Sequence, residues 1–231
     1  MIACVRVDTL HNFKGNLLAE QHRLRHREVI QKERWHNVYI AGDMEFDRYD
    51  NPATEYYIAR DASGAVLGVT RSYPTTIPYM ISDVFPFLSE QPLPSHFRVL
   101  EASRLVLDRT RLTREQRRPL IDRLILAYME RGLQRGIDAY VGFMLPAIWQ
   151  STFVRAGWQV EWLGPPVQLP GARDVVRAAL MPVNREMERK IREATQIAGP
   201  VLDFGAGDSS SPPVTLLSQH VLPPAENRSA A

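Results

Sequence analysis

The sequence holds 231 residues, 45% of them hydrophobic and 23% charged, with 28 basic and 26 acidic side chains for a formal net charge of +2. That length suits one domain of ordinary size plus a tail, and it can bury a core without disulfides. The charge balance argues against wholesale nucleic-acid binding, the lack of any apolar run of about 18 residues against a membrane-spanning helix, and a lone cysteine, Cys4, against an internal disulfide or a multi-cysteine metal site.

Residues 2–7 read as a strand in which Cys4 is a buried, inert thiol. Residues 16–34 read as a helix carrying Leu17, Leu18, Leu24 and Ile30 amid polar residues and ending at Trp35. Apolar runs at 56–60 and 65–73 flank Asp61-Ala62-Ser63-Gly64, whose Asp and Gly suit a tight reversal, so a hairpin is expected. Prolines at 74, 78, 86, 92 and 94 then leave a loop with one short helix. The next strand covers 99–107. Thr113 is placed to cap a helix running to about Arg131, with Pro119 offering a later start. Strands at 139–144, 158–163 and 175–182 and helices at 147–156 and 184–195 complete the pattern. This alternation is too irregular for an all-parallel sheet and predicts an α/β (α+β sandwich) fold, a mixed, twisted sheet with helices on both faces. Beyond about Phe204 a Gly-, Ser- and Pro-rich run has linker composition, dividing the chain into a folded domain over 1–204 and a flexible tail over 205–231.

Familiar nucleophile motifs are missing: there is no Gly-x-Ser-x-Gly, no Gly-x4-Gly-Lys phosphate loop and no His-Glu-x-x-His. Hydrolase and nucleotide-triphosphatase readings lose their footing. Only His22 and His26 stand at a helical metal-ligand spacing, with no third ligand nearby, so no metal site is expected. Basic residues gather at Arg23, Arg25, Arg27, Lys32 and Arg34 and again from Arg109 to Arg123, either as solvated helix faces or as attractors of an anionic partner.

Three charged groupings remain. In the first, Trp35 at a helix end accompanies Arg25 and the carboxylates Asp47 and Asp50, a pattern suited to a flat cationic ligand and equally found where a buried Trp adjoins an Asp-rich turn. The second is Arg71 in an apolar strand, which needs either a structural ion pair or a ligand, since an unpaired buried charge is costly. The third places Glu101, Ser103 and Arg104 inside the apolar 98–108 run, marking either a cleft or an internal ion pair. Residues three apart on an ideal strand face opposite sides, so a bulge or a splayed strand is required if Glu101 and Arg104 serve one site.

Together, Arg25, Trp35, Asp47-x-x-Asp50, Arg71-x-Tyr-Pro-Thr-Thr-x-Pro-x-Met and Glu101-x-Ser-Arg104 resemble the acyl-homoserine lactone synthases, the autoinducer synthases of bacterial quorum sensing, over about residues 20–165. Val29 stands where that family usually has an aromatic residue. The resemblance implies a fold similar to the N-acetyltransferase superfamily, with central strands that part to admit a thioester. It implies S-adenosylmethionine and an acyl thioester of coenzyme A or acyl carrier protein as substrates, with no cofactor, no nucleic-acid partner and no membrane. Glu101 would be the base, while Arg25, Trp35, Asp47, Asp50, Arg71, Ser103 and Arg104 would form the adenosylmethionine cleft.

An acyl-pocket wall is expected from Phe143, Leu145, Trp149 and Phe153. The stretch Tyr73-Pro-Thr-Thr-x-Pro-x-Met-x-Ser-Asp-Val-Phe-Pro, with Leu163-Gly-Pro-Pro, looks like the branch that takes coenzyme A thioesters of branched or aryl acids. Two other readings compete. An ordinary N-acetyltransferase would need an Arg/Gln-x-x-Gly-x-Gly/Ala loop, and none precedes the Thr113 helix. A non-catalytic binding module is the second, and intact Glu101 argues against it. With no basic, apolar, small-residue start, the chain is expected to be cytoplasmic.

Overall fold

The computed structural model describes residues 2–11, 15–32, 39–169 and 174–203. Trp35 and the 205–231 tail lie outside the described residues.

The first strand, β1 (Ile2–Asp8), leads to α1 (Leu17–Arg25), which continues as wider π-helical turns over His26–Lys32 where a single regular helix was expected. A short hairpin follows that the sequence reading omits, β2 (Tyr39–Ala41) and β3 (Met44–Phe46), reversed through Asp43 and Gly42 at φ +63°. Glycine adopts that left-handed conformation freely. The expected hairpin is present as β4 (Glu55–Asp61) and β5 (Val66–Pro74), and the Asp61 carboxylate accepts the Ser63 and Ala65 amides in the turn between them. The proline-rich loop holds α2 (Met80–Val84) and one 3-10 turn, and β6 (Val99–Leu107) has its expected bounds.

Next, α3 (Arg114–Arg135) starts directly after Thr113, whose amide donates to Gln116 Oε1 at 2.9 Å. Pro119 therefore sits inside α3 and removes one backbone hydrogen bond, the one to the Glu115 carbonyl. After β7 (Ala139–Met144), α4 (Pro146–Trp149) runs on into π-helical turns over Gln150–Val154. The expected 158–163 strand shrinks to β8 (Glu161–Trp162), followed by β9 (Val167–Gln168) and β10 (Val175–Pro182). The last helix, α5 (Arg185–Thr195), is capped by the Asn184 side chain, which accepts the Met187 amide at 2.9 Å.

One mixed sheet runs in the order β1-β4-β5-β6-β7-β10-β8, with β9 also paired to β10. Its neighbours are antiparallel except β6 and β7, which are parallel. Leu120, Leu124 and Tyr128 of α3 pack with Tyr140, Trp149 and Ile191 on one face, and Leu17 and Leu24 of α1 pack on Tyr56, Ile58 and Val69 on the other. Helices thus cover both faces of a mixed sheet, as expected.

Two departures from regularity shape the middle of this sheet. Pairing between β6 and β7 runs only from Val99–Ala139 to Glu101–Val141; beyond it β6 stays with β5 and β7 with β10, and the two strands part. A Cβ on Gly142 would meet the Ala102 carbonyl at 3.0 Å, so glycine lets the backbones pass closely where the opening begins. In addition, Val69 pairs with Val106 and Arg71 with Ser103, two steps on β5 against three on β6. Arg104 lies within the segment that absorbs the extra residue and adopts φ +58°.

Candidate active site

That extra residue reverses the facing of β6. Before it, Leu100 and Ala102 face the α3 core; after it, Leu105 and Leu107 do. Glu101, Ser103 and Arg104 therefore all turn to the opposite face, which a regular strand forbids. A left-handed arginine costs roughly 1–2 kcal/mol. Charge-assisted hydrogen bonds made by its side chain offset that cost.

The guanidinium of Arg104 reaches Asp47 Oδ2 at 2.7 Å and Glu45 Oε1 at 3.0 Å. Arg71, from β5, forms a fork with Asp47 (2.8 and 2.6 Å), touches Asp50 at 2.8 Å and donates Nε–H to Ser103 Oγ at 2.9 Å. Arg25, from the last turn of α1, binds Asp50 through both terminal nitrogens (2.7 and 2.8 Å) and Glu45 through Nε at 2.5 Å. Three guanidiniums thus interlock with three carboxylates in an electrically balanced network. Tyr56 Oη donates to Asp50 at 2.9 Å, and the Asp47 and Tyr49 amides cap Asp50 and Asp47 within the tight turn. Arg25, Arg71 and Glu45 side chains are fully enclosed, whereas Asp47 and Arg104 keep 11% and 6% exposure and form the open edge.

Beside this network lies Glu101, 1% exposed, at the last paired step of β6 before the strands part. Its carboxylate accepts the Ile81 amide at 2.8 Å and the Met80 amide at 3.1 Å. Burial pushes its pKa up to about 7, against the pull of those two amides and of Arg71. For Asp47 and Asp50 burial also acts upward, but Arg71, with Arg104 or Arg25, outweighs it and holds both carboxyls below the usual range. The cleft therefore pairs Asp side chains whose charged form their arginines favour with one carboxyl poised to take a proton near neutral pH.

Sequence reasoning located every described member of this network except Glu45. Its signal was present, since Glu45 and Asp47 stand two apart as one face of a strand requires, but the β2–β3 hairpin that supplies the strand went unseen. His22 is also part of the surround: its Nδ1 lies 2.8 Å from the Glu45 carbonyl, and burial with the nearby Arg25 pushes its pKa down to about 4. Among the described residues no three His, Cys, Asp or Glu side chains are grouped to hold a metal ion.

The expected acyl wall is divided. On β7, alternate residues face opposite ways, so Phe143 and Val141 join Tyr73, Tyr79 and Met80 on the Glu101 face. Trp149 and Phe153 are instead buried in the α3 core, with Trp149 Nε1 donating to the Arg177 carbonyl at 2.8 Å, and Leu145 is exposed. Phe85, 5.0 Å from Phe143 between ring centres, and Leu163 complete an apolar wall that the sequence reading did not assemble. Two open hollows, of about 370 Å³ beside α1 and 340 Å³ beside α5, include no member of the charged network.

A family model described as autoinducer synthase matches residues 10–191. Over 175 residues the chain is 33% identical to an isovaleryl-homoserine lactone synthase of Bradyrhizobium diazoefficiens, covering 74% of this chain and 76% of that protein. Over 166 residues it is 30% identical to an acyl-homoserine-lactone synthase of Pseudomonas aeruginosa, covering 71% and 79%. Among solved structures, the CoA-dependent acyl-homoserine lactone synthase BjaI with MTA aligns at a TM-score of 0.77 with 27% identity, over 87% of this chain and 92% of that one. The same synthase with SAM and isopentyl-CoA aligns at 0.76 with 28% identity and the same coverage.

Proposed function

The chain belongs to the autoinducer synthase family, and we propose that it makes an acyl-homoserine lactone in the opening between β6 and β7, joining an acyl thioester to S-adenosylmethionine. The observation that carries the assignment to this cleft is Glu101, buried at the parting of the strands with its pKa raised to about 7 and the Arg–carboxylate network beside it.

In this reading the ammonium of S-adenosylmethionine must first lose a proton, because an ammonium has no lone pair to attack with. Glu101 takes it, through water, and a base whose pKa lies near the working pH suits that task. The amine then attacks the thioester carbonyl, the carbon–sulfur bond breaks, and the departing thiolate takes up the second proton that the nitrogen sheds as it becomes an amide. Next, the methionyl carboxylate attacks its own γ-carbon and expels methylthioadenosine, a step governed by proximity because a sulfonium is already a good leaving group. At the open edge Arg104 suits the methionyl carboxylate and Asp47 the ammonium, while the enclosed Arg25, Arg71 and Asp50 brace them from behind and Ser103 holds Arg71 in place. Trp35 is assigned to the adenosine side of the cleft by the sequence pattern alone.

For the donor, we read a coenzyme A thioester of a branched or aryl acid. Support comes from the relative named as an isovaleryl-homoserine lactone synthase, the CoA-dependent structural neighbours, and the bulky Phe143, Phe85 and Leu163 wall. Residues 1–204 are read as the synthase domain with 205–231 as an appended tail. No helix among the described residues is long and apolar enough to cross a membrane, and a cytoplasmic location, where both substrates are made, is proposed. Mass spectrometry of organic extracts from expressing cells tests the activity; an acyl-homoserine lactone that vanishes in Glu101→Gln supports it, and no lactone from folded wild-type protein overturns it.

A further inference from the structure

One contact outside the charged network ties the acidic turn to the base. Asp83, near the end of α2, accepts a hydrogen bond from Tyr49 Oη at 3.0 Å and pairs with Arg48 Nη1 at 2.9 Å. Both partners sit between Asp47 and Asp50. Tyr49 is buried, and its ring meets edge-on that of Tyr73, the residue paired with Glu101 across the sheet. At five residues, α2 is too short to hold its place by its own hydrogen bonds, yet its first two amides are the donors to Glu101. Met80 and Ile81 are buried beside Tyr73 and Val141, but such apolar packing is non-directional and does not aim an amide. Apart from those donors and an Arg104–Met80 sulfur contact at 4.0 Å, the other polar anchors of α2 stay within its own loop, Tyr79 with Ser82 and Tyr79 Oη with the Pro94 carbonyl.

We propose that Asp83 is a positioning residue for Glu101: gripped by Tyr49 and Arg48, it pins α2 so that the Met80 and Ile81 amides stay on the Glu101 carboxylate. The proposal rests on Glu101 being the base in the function proposed above. Amides that donate to a carboxylate favour its charged form, so releasing α2 raises the pH at which Glu101 ionises. The other groups facing Glu101 are Arg71 and Tyr73 on β5, Asp47 and Tyr49 in the acidic turn, Tyr79 at the start of α2, and Arg104 on its own strand. An Asp83 substitution removes none of them.

The test is the pH profile of kcat at saturating substrates for wild type, Asp83→Ala, Tyr49→Phe and Glu101→Gln. Asp83→Ala is expected to move the acidic limb upward by about one unit, to lower kcat several-fold at neutral pH with recovery at alkaline pH, and to leave the KM for S-adenosylmethionine nearly unchanged. Tyr49→Phe, which deletes one oxygen, is expected to move the limb the same way by less, and it decides the matter if Asp83→Ala does not fold. A limb that stays at the wild-type position in the folded variants overturns the role of Asp83 while leaving the proposed function intact. Lactone synthesis that survives in Glu101→Gln overturns the base assignment itself, and this inference with it.

Discussion

Glu101 and Arg104 lie three residues apart on β6 and face the same side, because the strand carries an extra residue and Arg104 adopts φ +58° there. That geometry aims the Arg104 fork across Glu45 and Asp47 at the open edge of the cleft. A lysine keeps the charge but not the fork. Arg104→Lys is expected to weaken S-adenosylmethionine binding roughly tenfold, about 1.4 kcal/mol, with the acyl donor's affinity little changed. Titration calorimetry reads both values, and an unaltered S-adenosylmethionine affinity would reduce Arg104 to a brace.

Glu45 has a different place in the network. Fully buried, it touches no solvent and joins Arg25 to Arg104 from the β3 strand. Removing one partner of a buried ion pair leaves uncompensated charge, so Glu45→Ala is expected to destabilise the fold by about 3–5 kcal/mol. Urea unfolding near neutral pH measures it. A loss below about 1 kcal/mol would mean that Asp50 and Asp47 can neutralise the three guanidiniums unaided.

Glu101→Gln keeps side-chain volume and loses basicity, so turnover should fall by at least about a hundredfold. Wild-type activity should decline as pH drops through about 7, where Glu101 takes up a proton. Stability runs the other way. The folded-state pKa stands above the ordinary glutamic acid value of 4.5, so the native state holds the proton more tightly than the unfolded chain. The resulting stabilisation is complete below about 4.5 and is lost as pH rises to about 7. Glu101→Gln has no such titration, so its stability relative to wild type should climb across that window. A stability difference independent of pH there would mean that Glu101 is not held protonated by its surroundings.

The strands at Val99–Leu107, Ala139–Met144 and Val175–Pro182 were legible because each is an apolar run of strand length with clear breaks at both ends. Two-residue periodicity went further and made an irregularity the condition for Glu101 and Arg104 to share one site, and the strand has it at Arg104. The β2–β3 hairpin was missed because its strands are three residues long and mixed in polarity, although Gly42-Asp43 is a recognised two-residue reversal. Glu45 was lost with it, as its partners Arg25 and Arg104 lie far away along the chain. The facing of Trp149 and Phe153 was beyond reach for another reason: it depends on the angle at which α4 leaves β7, which no periodicity within either element records.

Phe143 lies on the Glu101 face against Phe85 and Leu163, and none of the three offers a hydrogen-bond donor. A 3-oxo chain placed there would leave a buried carbonyl unpaired, at a cost of about 1–3 kcal/mol, whereas a branched or planar acyl group would fill the space without that loss. Phe143→Ala should therefore shift the preferred donor toward longer chains. Trp149→Ala and Phe153→Ala should behave otherwise: each opens a hole in the α3 core, costing about 3–5 kcal/mol of stability, while the order of donor preference stays that of wild type. The assay compares isovaleryl, cinnamoyl and octanoyl groups as matched coenzyme A and carrier-protein thioesters for wild type and all three variants. If wild type prefers octanoyl or 3-oxo chains on the carrier protein, the donor assignment is wrong. Should Trp149→Ala instead reorder the donors while Phe143→Ala does not, the acyl chain lies on the opposite face of β7 from Glu101, and the cleft drawn here cannot be where the thioester binds.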